Sequence, residues 1–273
     1  MLTSEADRLR RVIVCTPNEE YYKVGNLNAH NIHGAANREK ALSQHNRLKE
    51  LLSGFGAEII DVPELPDHPN SVFTRDAAIC TPEGYFELIP GIETRQAEGR
   101  WMASVLNKLG EPFARKIIPP ATVDGGDVIL FGRVVFVGLT KRTNKEGCRQ
   151  LSDYFIEMGY EVRVIPLPDT ILHLDKVLMP VNQEKLIVCS NLVPKFSLEG
   201  FDTININFDG MTTANIICLG DEELIVGDTN AEAIHHLNDE EFTVHLLDIS
   251  EFIKGAGGPN CLIMPVERGA SYK

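Results

Sequence analysis

A chain of 273 residues is long enough to bury a sizeable core, as one large domain or two small ones. Its 43% hydrophobic and 24% charged residues are globular averages, which excludes disordered, collagen-like and low-complexity architectures. Lys+Arg 26 against Asp+Glu 39 leaves a formal net charge of −13, which argues against nucleic acid and anionic membrane surfaces as partners.

Read from the N-terminus, the first apolar β-branched run is RVIVCTP, Arg11–Pro17. An amphipathic helix is predicted over Asn37–Leu52 with a stop at Gly54, followed by the strand AEIIDVP. From Asn70, NSVFTRDAAICTPEGYFELIP reads as a polar cluster and a hairpin turning near Pro82-Glu83-Gly84. A helix over Thr94–Leu109, a stop at Gly110 and the strand ARKIIPP complete that unit. From Asp124, DGGDVILFGRVVFVGLT is a second hairpin, turning at Gly132-Arg133, with a helix over Asn144–Met158, a stop at Gly159 and the strand YEVRVIP. From His173, HLDKVLMPVNQEKLIVC turns near Asn182-Gln183-Glu184, and the stretch after Cys189 lacks a clear helix. From Thr212, TTANIICLGDEELIVGD turns at Gly220-Asp221-Glu222, with a weaker helix near Ala231–Asn238 and the strand FTVHLLDI. From Gly257, GGPNCLIMP begins a fifth unit, for which Arg11–Pro17 is a closing partner from the other end of the chain.

The five hairpin starts are separated by 39 to 54 residues, a period that signals a propeller or solenoid. Joining the last unit to the first strand closes a ring and removes the exposed sheet edge. The predicted fold class is therefore α/β, a five-bladed pseudo-symmetric α/β propeller forming a single catalytic domain over 1–273. A doubly wound sheet also alternates strands and helices, but it has crossovers where these units have two-stranded turns. No GxGxxG or P-loop follows a first strand.

If the units are pseudo-equivalent, the residues opening each hairpin converge on one axis. Those residues are Asn70, Arg75 and Asp76; Asp124 and Asp127; His173 and Asp175; and Cys261. Singly, each has a plain explanation: a strand cysteine is usually a small buried hydrophobe, a lone histidine is surface or satisfied core, and DGGD is a simple turn. Acid, acid, base and thiol at matching repeat positions point instead to a site. Cys261 is set apart from Cys15, Cys80, Cys148, Cys189 and Cys218 by the preceding GAGG, a glycine run that allows backbone to approach a ligand closely. The six cysteines include no CxxC pair, the pattern of free thiols in a reducing compartment. No run approaches the about 18 apolar residues of a membrane span, and the N-terminus lacks signal-peptide features, so a cytoplasmic protein is expected.

NSVFTRD, DGGDV, GLTKRTN, HLD and GGPNC, in this order from Arg11 to Arg268, resemble the guanidine-modifying enzymes. That superfamily comprises arginine deiminases, dimethylarginine dimethylaminohydrolases, arginine dihydrolases and amidinotransferases. The resemblance implies the pentein fold, a five-bladed α/β propeller with a central active site. It implies Cys261 as nucleophile, His173 as general acid/base and Asp124 as the carboxylate that orients His173 and touches the guanidinium. Asp76 and Asp175 would bind the guanidinium nitrogens, Arg95 and Arg142 would clamp the substrate's α-carboxylate, and Asn70 would line the same pocket. No cofactor or metal is implied, and the Cys/His spacing is wrong for zinc. The expected partner is a small guanidino amino acid, and a homo-oligomer is compatible with the sequence.

The residue types suit such chemistry. Carboxylates hold planar guanidinium N–H groups by charge-assisted bonds, a thiolate attacks the resonance-stabilised carbon, and arginine forks match a carboxylate. The compact length and GGDVILFGRVVFVGLTKRTN resemble the dimethylarginine branch, whereas FTRD, Asp175 and GGPNC resemble arginine deiminase. The expectation is a hydrolase converting L-arginine or an Nω-methylated arginine to L-citrulline. The alternatives are a dihydrolase releasing ornithine, suggested by Asn70 and Asn28, and a non-enzymatic ribosome-binding propeller.

Overall fold

The computed structural model describes residues 2–208, 210 and 213–269. The predicted hairpin turns sit where they were read. β1 (Arg8–Cys15) and β2 (Glu58–Val62) come first, then β3 (Ala78–Thr81), β4 (Gly84–Glu87) and β5 (Phe113–Lys116). β6 (Val128–Phe131), β7 (Val134–Leu139) and β8 (Glu161–Pro166) follow, then β9 (Leu178–Pro180), β10 (Lys185–Cys189) and β11 (Asp202–Ile206). β12 (Ile217–Gly220), β13 (Glu223–Gly227), β14 (Thr243–Leu247) and β15 (Met264–Gly269) complete the order. Thr212, the expected start of one unit, lies outside the described residues.

Among the described residues these strands form five three-stranded sheets: β15-β1-β2, β3-β4-β5, β6-β7-β8, β9-β10-β11 and β12-β13-β14. In each sheet the middle strand runs antiparallel to the first and parallel to the third. Every residue of β3, β6, β9 and β12 is buried, whereas β5 has no buried residue, so the first strand in these four blades is the inner one. The two ends of the chain share one blade: β15 pairs antiparallel with β1 through Val12 against Pro265 and Ile13 against Met264. This is the expected closure, and the architecture is a five-bladed α/β propeller.

The helix from Arg38 to Gly54 starts where the Asn37 side chain accepts from the Lys40 N–H, and it buries Ala41, Leu48 and Leu52 on one stripe. Asn144 caps the helix Lys145–Glu157 in the same way, through the Gly147 N–H. The expected stop at Gly54 is displaced: Gly54 is the last helical residue, and Gly56 takes the left-handed conformation with φ +83. Its neighbours close the end, Gly56 N–H onto Ser53 O and Ala57 N–H onto Leu52 O. The helix Ala231–Asp239 ends by the same bonding with Glu241, φ +64, in place of glycine. In the helix-poor unit a single 3₁₀ turn, Lys195–Leu198, stands between β10 and β11.

Four blades share one further device. A single 3₁₀ turn precedes the innermost strand at Thr74–Asp76, Gly125–Asp127, Leu174–Lys176 and Asn260–Leu262. The first turn packs on the second and the fourth, and the second on the third. The polar residues singled out from the sequence lie on these turns or just before them.

Candidate active site

His173 immediately precedes the third of these turns, and its Nε2 lies 2.9 Å from Asp124 Oδ2, which precedes the second. The other ring nitrogen, Nδ1, is 3.6 Å from Asp76 Oδ1 and has no hydrogen-bond partner among the described residues. Asp124 is completely buried; its Oδ1 accepts the Gly91 N–H at 2.7 Å. Gly126 is required beneath this pair. A Cβ there would stand 2.9 Å from both Asp76 Oδ1 and His173 Nδ1, and its N–H donates to Asp76 Oδ1.

Burial alone would lower the histidine pKa, but Asp76, Asp124 and Asp127 outweigh it and raise it to about 9. Asp76 is held well below the usual carboxylate range: burial opposes ionisation, but His173, Arg95 and Arg142 prevail. The imidazole is therefore cationic at neutral pH, poised to give a proton. Asp127, at the matching place one blade on, does not reach the site. It accepts the Thr140 hydroxyl and the Leu174 N–H, and burial pushes its carboxyl up to about 7.

Cys261 sits in the fourth turn at 2% exposure. Asp175 Oδ2 lies 3.9 Å from its sulfur and accepts from Asn260 Nδ2, while Asp175 Oδ1 is buried without a partner. Burial pushes the Cys261 thiol up to about 11, Asp175 adds to this, and Lys176 opposes it. Cys80 and Cys148 are also pushed up by burial, and among the described residues neither has a lysine ammonium in hydrogen-bond contact as Cys261 has.

The two arginines differ. Arg95 is turned inward: Nε and Nη2 donate to Glu98, Nη1 donates to Asp76 Oδ2 at 2.5 Å, and Nη2 also reaches the Asn70 and Phe73 carbonyls. Of its five N–H groups, one on Nη1 remains for another partner. Arg142 approaches Asp124 Oδ2 at 3.6 Å, and its buried Nη1 makes no hydrogen bond. Asn70 Oδ1 is likewise buried and unpartnered.

These groups surround a small chamber of about 20 Å³, lined by Asn70, Asp76, Arg95, Arg142, His173 and Cys261 together with His30, Asn31 and the 255–257 backbone. Asp124 and Asp175 adjoin this wall, 2.9 Å from His173 Nε2 and 3.9 Å from Cys261 Sγ respectively. Asn31, Arg142, Leu172 and Ala256 also border an outer cavity of about 420 Å³. All eight expected site residues are thus brought to one place. The glycine run also has a packing role: a Cβ at Gly257 would meet the Phe73 ring at 2.1 Å, and one at Gly258 would meet Asn215 Oδ1 at 2.2 Å. These glycines let the Cys261 turn pack on Phe73 and Asn215, while Gly255 and Gly257 also line the chamber. Sequence reasoning missed Lys176, whose Nζ lies 3.0 Å from Cys261 Sγ, and Asn215, whose Nδ2 lies 3.5 Å from it. Nothing in HLDKV distinguishes that lysine from a solvated one.

Ligand atoms of Asp76, Asp124 and His173 lie within 4.8 Å of one another, a spacing that a cation would fit. Arg95 and Arg142 already bring positive charge to both carboxylates, so the donor set suits a guanidinium better than a metal ion.

Comparison with known proteins agrees with this geometry. The model of the family described as N,N dimethylarginine dimethylhydrolase, eukaryotic, matches residues 17–268. The chain belongs to that family. The N(G),N(G)-dimethylarginine dimethylaminohydrolase of Pseudomonas aeruginosa is 28% identical over 231 residues, covering 84% of this chain and 89% of that one. An uncharacterized protein of Aeropyrum pernix is 30% identical over 233 residues, 84% of each chain. The solved Pseudomonas aeruginosa enzyme, a mutant complexed with citrulline, superposes with a TM-score of 0.82 at 25% identity over 94% of this chain and 99% of that one. The N-terminal domain of ArgZ, a cyanobacterial arginine dihydrolase, has a TM-score of 0.82 at 19% identity over 94% of this chain and 98% of that one, a likeness of fold. The fold is the pentein fold, and this dimethylarginine dimethylhydrolase family member is an enzyme, a hydrolase acting on C–N bonds. Among its described residues no helix is long and apolar enough to cross a membrane.

Proposed function

We propose that this chain, acting as one catalytic unit, hydrolyses the guanidinium C–N bond of L-arginine or an Nω-methylated L-arginine. The products are L-citrulline and ammonia or a methylamine. The observation that carries the reading is the convergence of four equivalent turns, which gathers a thiol, an imidazolium and three carboxylates around one chamber. In this mechanism Asp76 and Asp175 hold the guanidinium, and Arg142, with an unpartnered Nη1, takes the α-carboxylate with Arg95 behind it. The Cys261 thiolate attacks the guanidinium carbon and forms a C–S bond. His173 passes its proton to the departing amine as the C–N bond breaks, leaving an S-alkylthiouronium. Water then adds to the same carbon and yields a proton to His173. The C–S bond breaks with its electron pair returning to sulfur, and citrulline forms. Asp124 keeps the imidazole oriented throughout.

Within this reading, Asp175 Oδ1 favours an unmethylated nitrogen. A buried acceptor without a partner, beside the sulfur, rewards an N–H and leaves little space for a methyl group. Asn70 Oδ1, also buried and unpartnered on the chamber wall, supports the second reading, a dihydrolase that continues to ornithine. A chamber of about 20 Å³ has room for roughly one water molecule.

Product analysis by mass spectrometry with L-arginine, asymmetric dimethylarginine and agmatine tests the proposal. Citrulline with ammonia from arginine is the expected result. Citrulline with dimethylamine from the methylated substrate instead would shift the assignment to that branch and remove the role given to Asp175. Ornithine would establish dihydrolysis, and turnover of none of the three would overturn the reading. Cys261→Ser should lower kcat at least about a thousandfold, since the serine hydroxyl ionises far less readily than a thiol.

A further inference from the structure

Lys176 occupies the third position of the turn Leu174–Lys176 and is 2% exposed. Its backbone is fixed at both ends, the N–H donating to His173 O and the carbonyl accepting from Ala214 N–H. From this base the side chain passes along the wall of the outer cavity and ends 3.0 Å from Cys261 Sγ. That sulfur is the hydrogen-bond acceptor its ammonium has among the described residues. A buried ammonium without an anionic neighbour is costly by several kcal/mol. The anions that face it are the sulfur itself when ionised, Asp175 from its own turn and Asp76 from the Thr74–Asp76 turn. Burial works to discharge the lysine, but these neighbours outweigh it and raise its pKa, so the group remains a cation.

Cys261 is faced by Asp175 and Lys176 from one side, by Asp76 across the chamber, by the neutral Asn215 amide, and by His173 from the chamber wall. Of the two carboxylates and two cations in this set, Lys176 is the cation in hydrogen-bond contact with the sulfur. A substrate guanidinium also favours the thiolate, but only while it is bound and only until the sulfur attacks it. Lys176 is present in the free enzyme and when the sulfur leaves.

We propose that Lys176 is a catalytic residue of this chain: its ammonium stabilises negative charge on Cys261 Sγ both when the thiolate attacks and when it departs from the covalent intermediate. In the first step the thiol proton leaves for solvent and the sulfur's electron pair forms the C–S bond. Lys176 then stands beside a neutral thioether and a cationic thiouronium, a like-charge arrangement that favours collapse. In the second step the C–S electron pair returns to a sulfur already adjacent to a cation. Lys176 neither gains nor loses a proton in either step. The inference rests on Cys261 being the nucleophile in the proposed function.

The test is the rate of Cys261 alkylation by iodoacetamide in the free full-length protein between pH 7 and 9, read by mass spectrometry, and requires no substrate. Lys176→Gln is expected to slow alkylation at least tenfold at each pH, equivalent to at least one unit in the thiol pKa, while Lys176→Arg stays within about threefold of the parent. A Lys176→Gln profile that superimposes on the parent profile overturns the proposal. If Lys176→Gln fails to fold, Lys176→Arg decides: with the charge kept, a tenfold loss would show that shape rather than charge matters, and so overturn it. A failed turnover assay with the alkylation difference intact would overturn the substrate assignment and leave Lys176 as the partner of the thiolate.

Discussion

Asp76 and Asp127 are the third residues of two pseudo-equivalent turns, both buried and both next to a following innermost strand. One is held ionised and the other is driven toward its neutral form. Burial opposes ionisation in each, so the difference lies in what surrounds them. Asp76 has the Arg95 guanidinium at 2.5 Å, the His173 ring at 3.6 Å and Arg142 nearby. Asp127 has a hydroxyl and a backbone N–H on its oxygens and, among the described residues, an ion pair to neither, and the attraction of His173 does not offset its burial. The repeat therefore supplies a backbone position, and the cations on neighbouring segments decide whether that position does chemistry.

The same substitution at the two positions should give opposite results. Asp76→Asn leaves Glu98 as the one carboxylate bonded to the buried Arg95 guanidinium, and should cost about 3 kcal/mol of stability, measurable by denaturant unfolding. It also removes a carboxylate that raises the His173 pKa, so turnover should fall at least about a thousandfold and the alkaline limb set by His173 should move downward. A variant retaining more than a tenth of parental kcat/KM would dissolve the contrast.

Stability against pH sharpens the comparison from the side of the imidazole. His173 is raised from 6.5 to about 9, so the native state binds its proton more tightly than the unfolded chain does. That contribution is complete below about pH 6.5 and is lost as pH rises toward 9. The parent protein should lose stability across this window, and His173→Asn should lose most of that slope. An unchanged slope in the variant would show that Asp76 and Asp124 do not hold an imidazolium.

Much of this was legible in the sequence for an identifiable reason. Hairpin turns at Pro82-Glu83, Gly132-Arg133 and Asp221-Glu222 carry residues whose backbone preferences are local, so five blades and their closure follow from pattern alone. Six of the eight expected site residues follow from the equivalence of the units, while Arg95 and Arg142 were expected from the family resemblance alone. The stop at Gly56 rather than Gly54 is a two-residue error of the kind helix ends commonly give. Three features depend on contacts between blades and were not readable. The glycines before Cys261 accommodate Phe73 and Asn215, brought in from other blades. Arg95 is tied to Asp76 and Glu98 instead of standing free. Lys176 reaches across to another blade, which places its ammonium on a sulfur 85 residues away in the chain.

Asp127→Asn carries the smallest expected effect and the clearest sign. Its carboxyl is raised from 3.8 to about 7, so protonation favours the native state and that advantage is present below about pH 3.8 and lost as pH rises through 7. An asparagine is the neutral group the site already prefers. Its oxygen can accept the Leu174 N–H, but the Thr140 oxygen already accepts from the Arg142 and Thr143 N–H groups, so the bond that hydroxyl donates is lost and offsets part of the relief from the buried charge. At pH 8 the variant should therefore unfold at the same temperature as the parent or slightly above it, a gain of at most about 1 kcal/mol, with kcat within a few-fold. Because the buried charge is absent at every pH, the variant's advantage should shrink steadily as the assay moves from pH 8 to pH 5. A loss comparable to that of Asp76→Asn would mean that Asp127 works as an anion, and that the cations around Asp76 are not what separates the two turns.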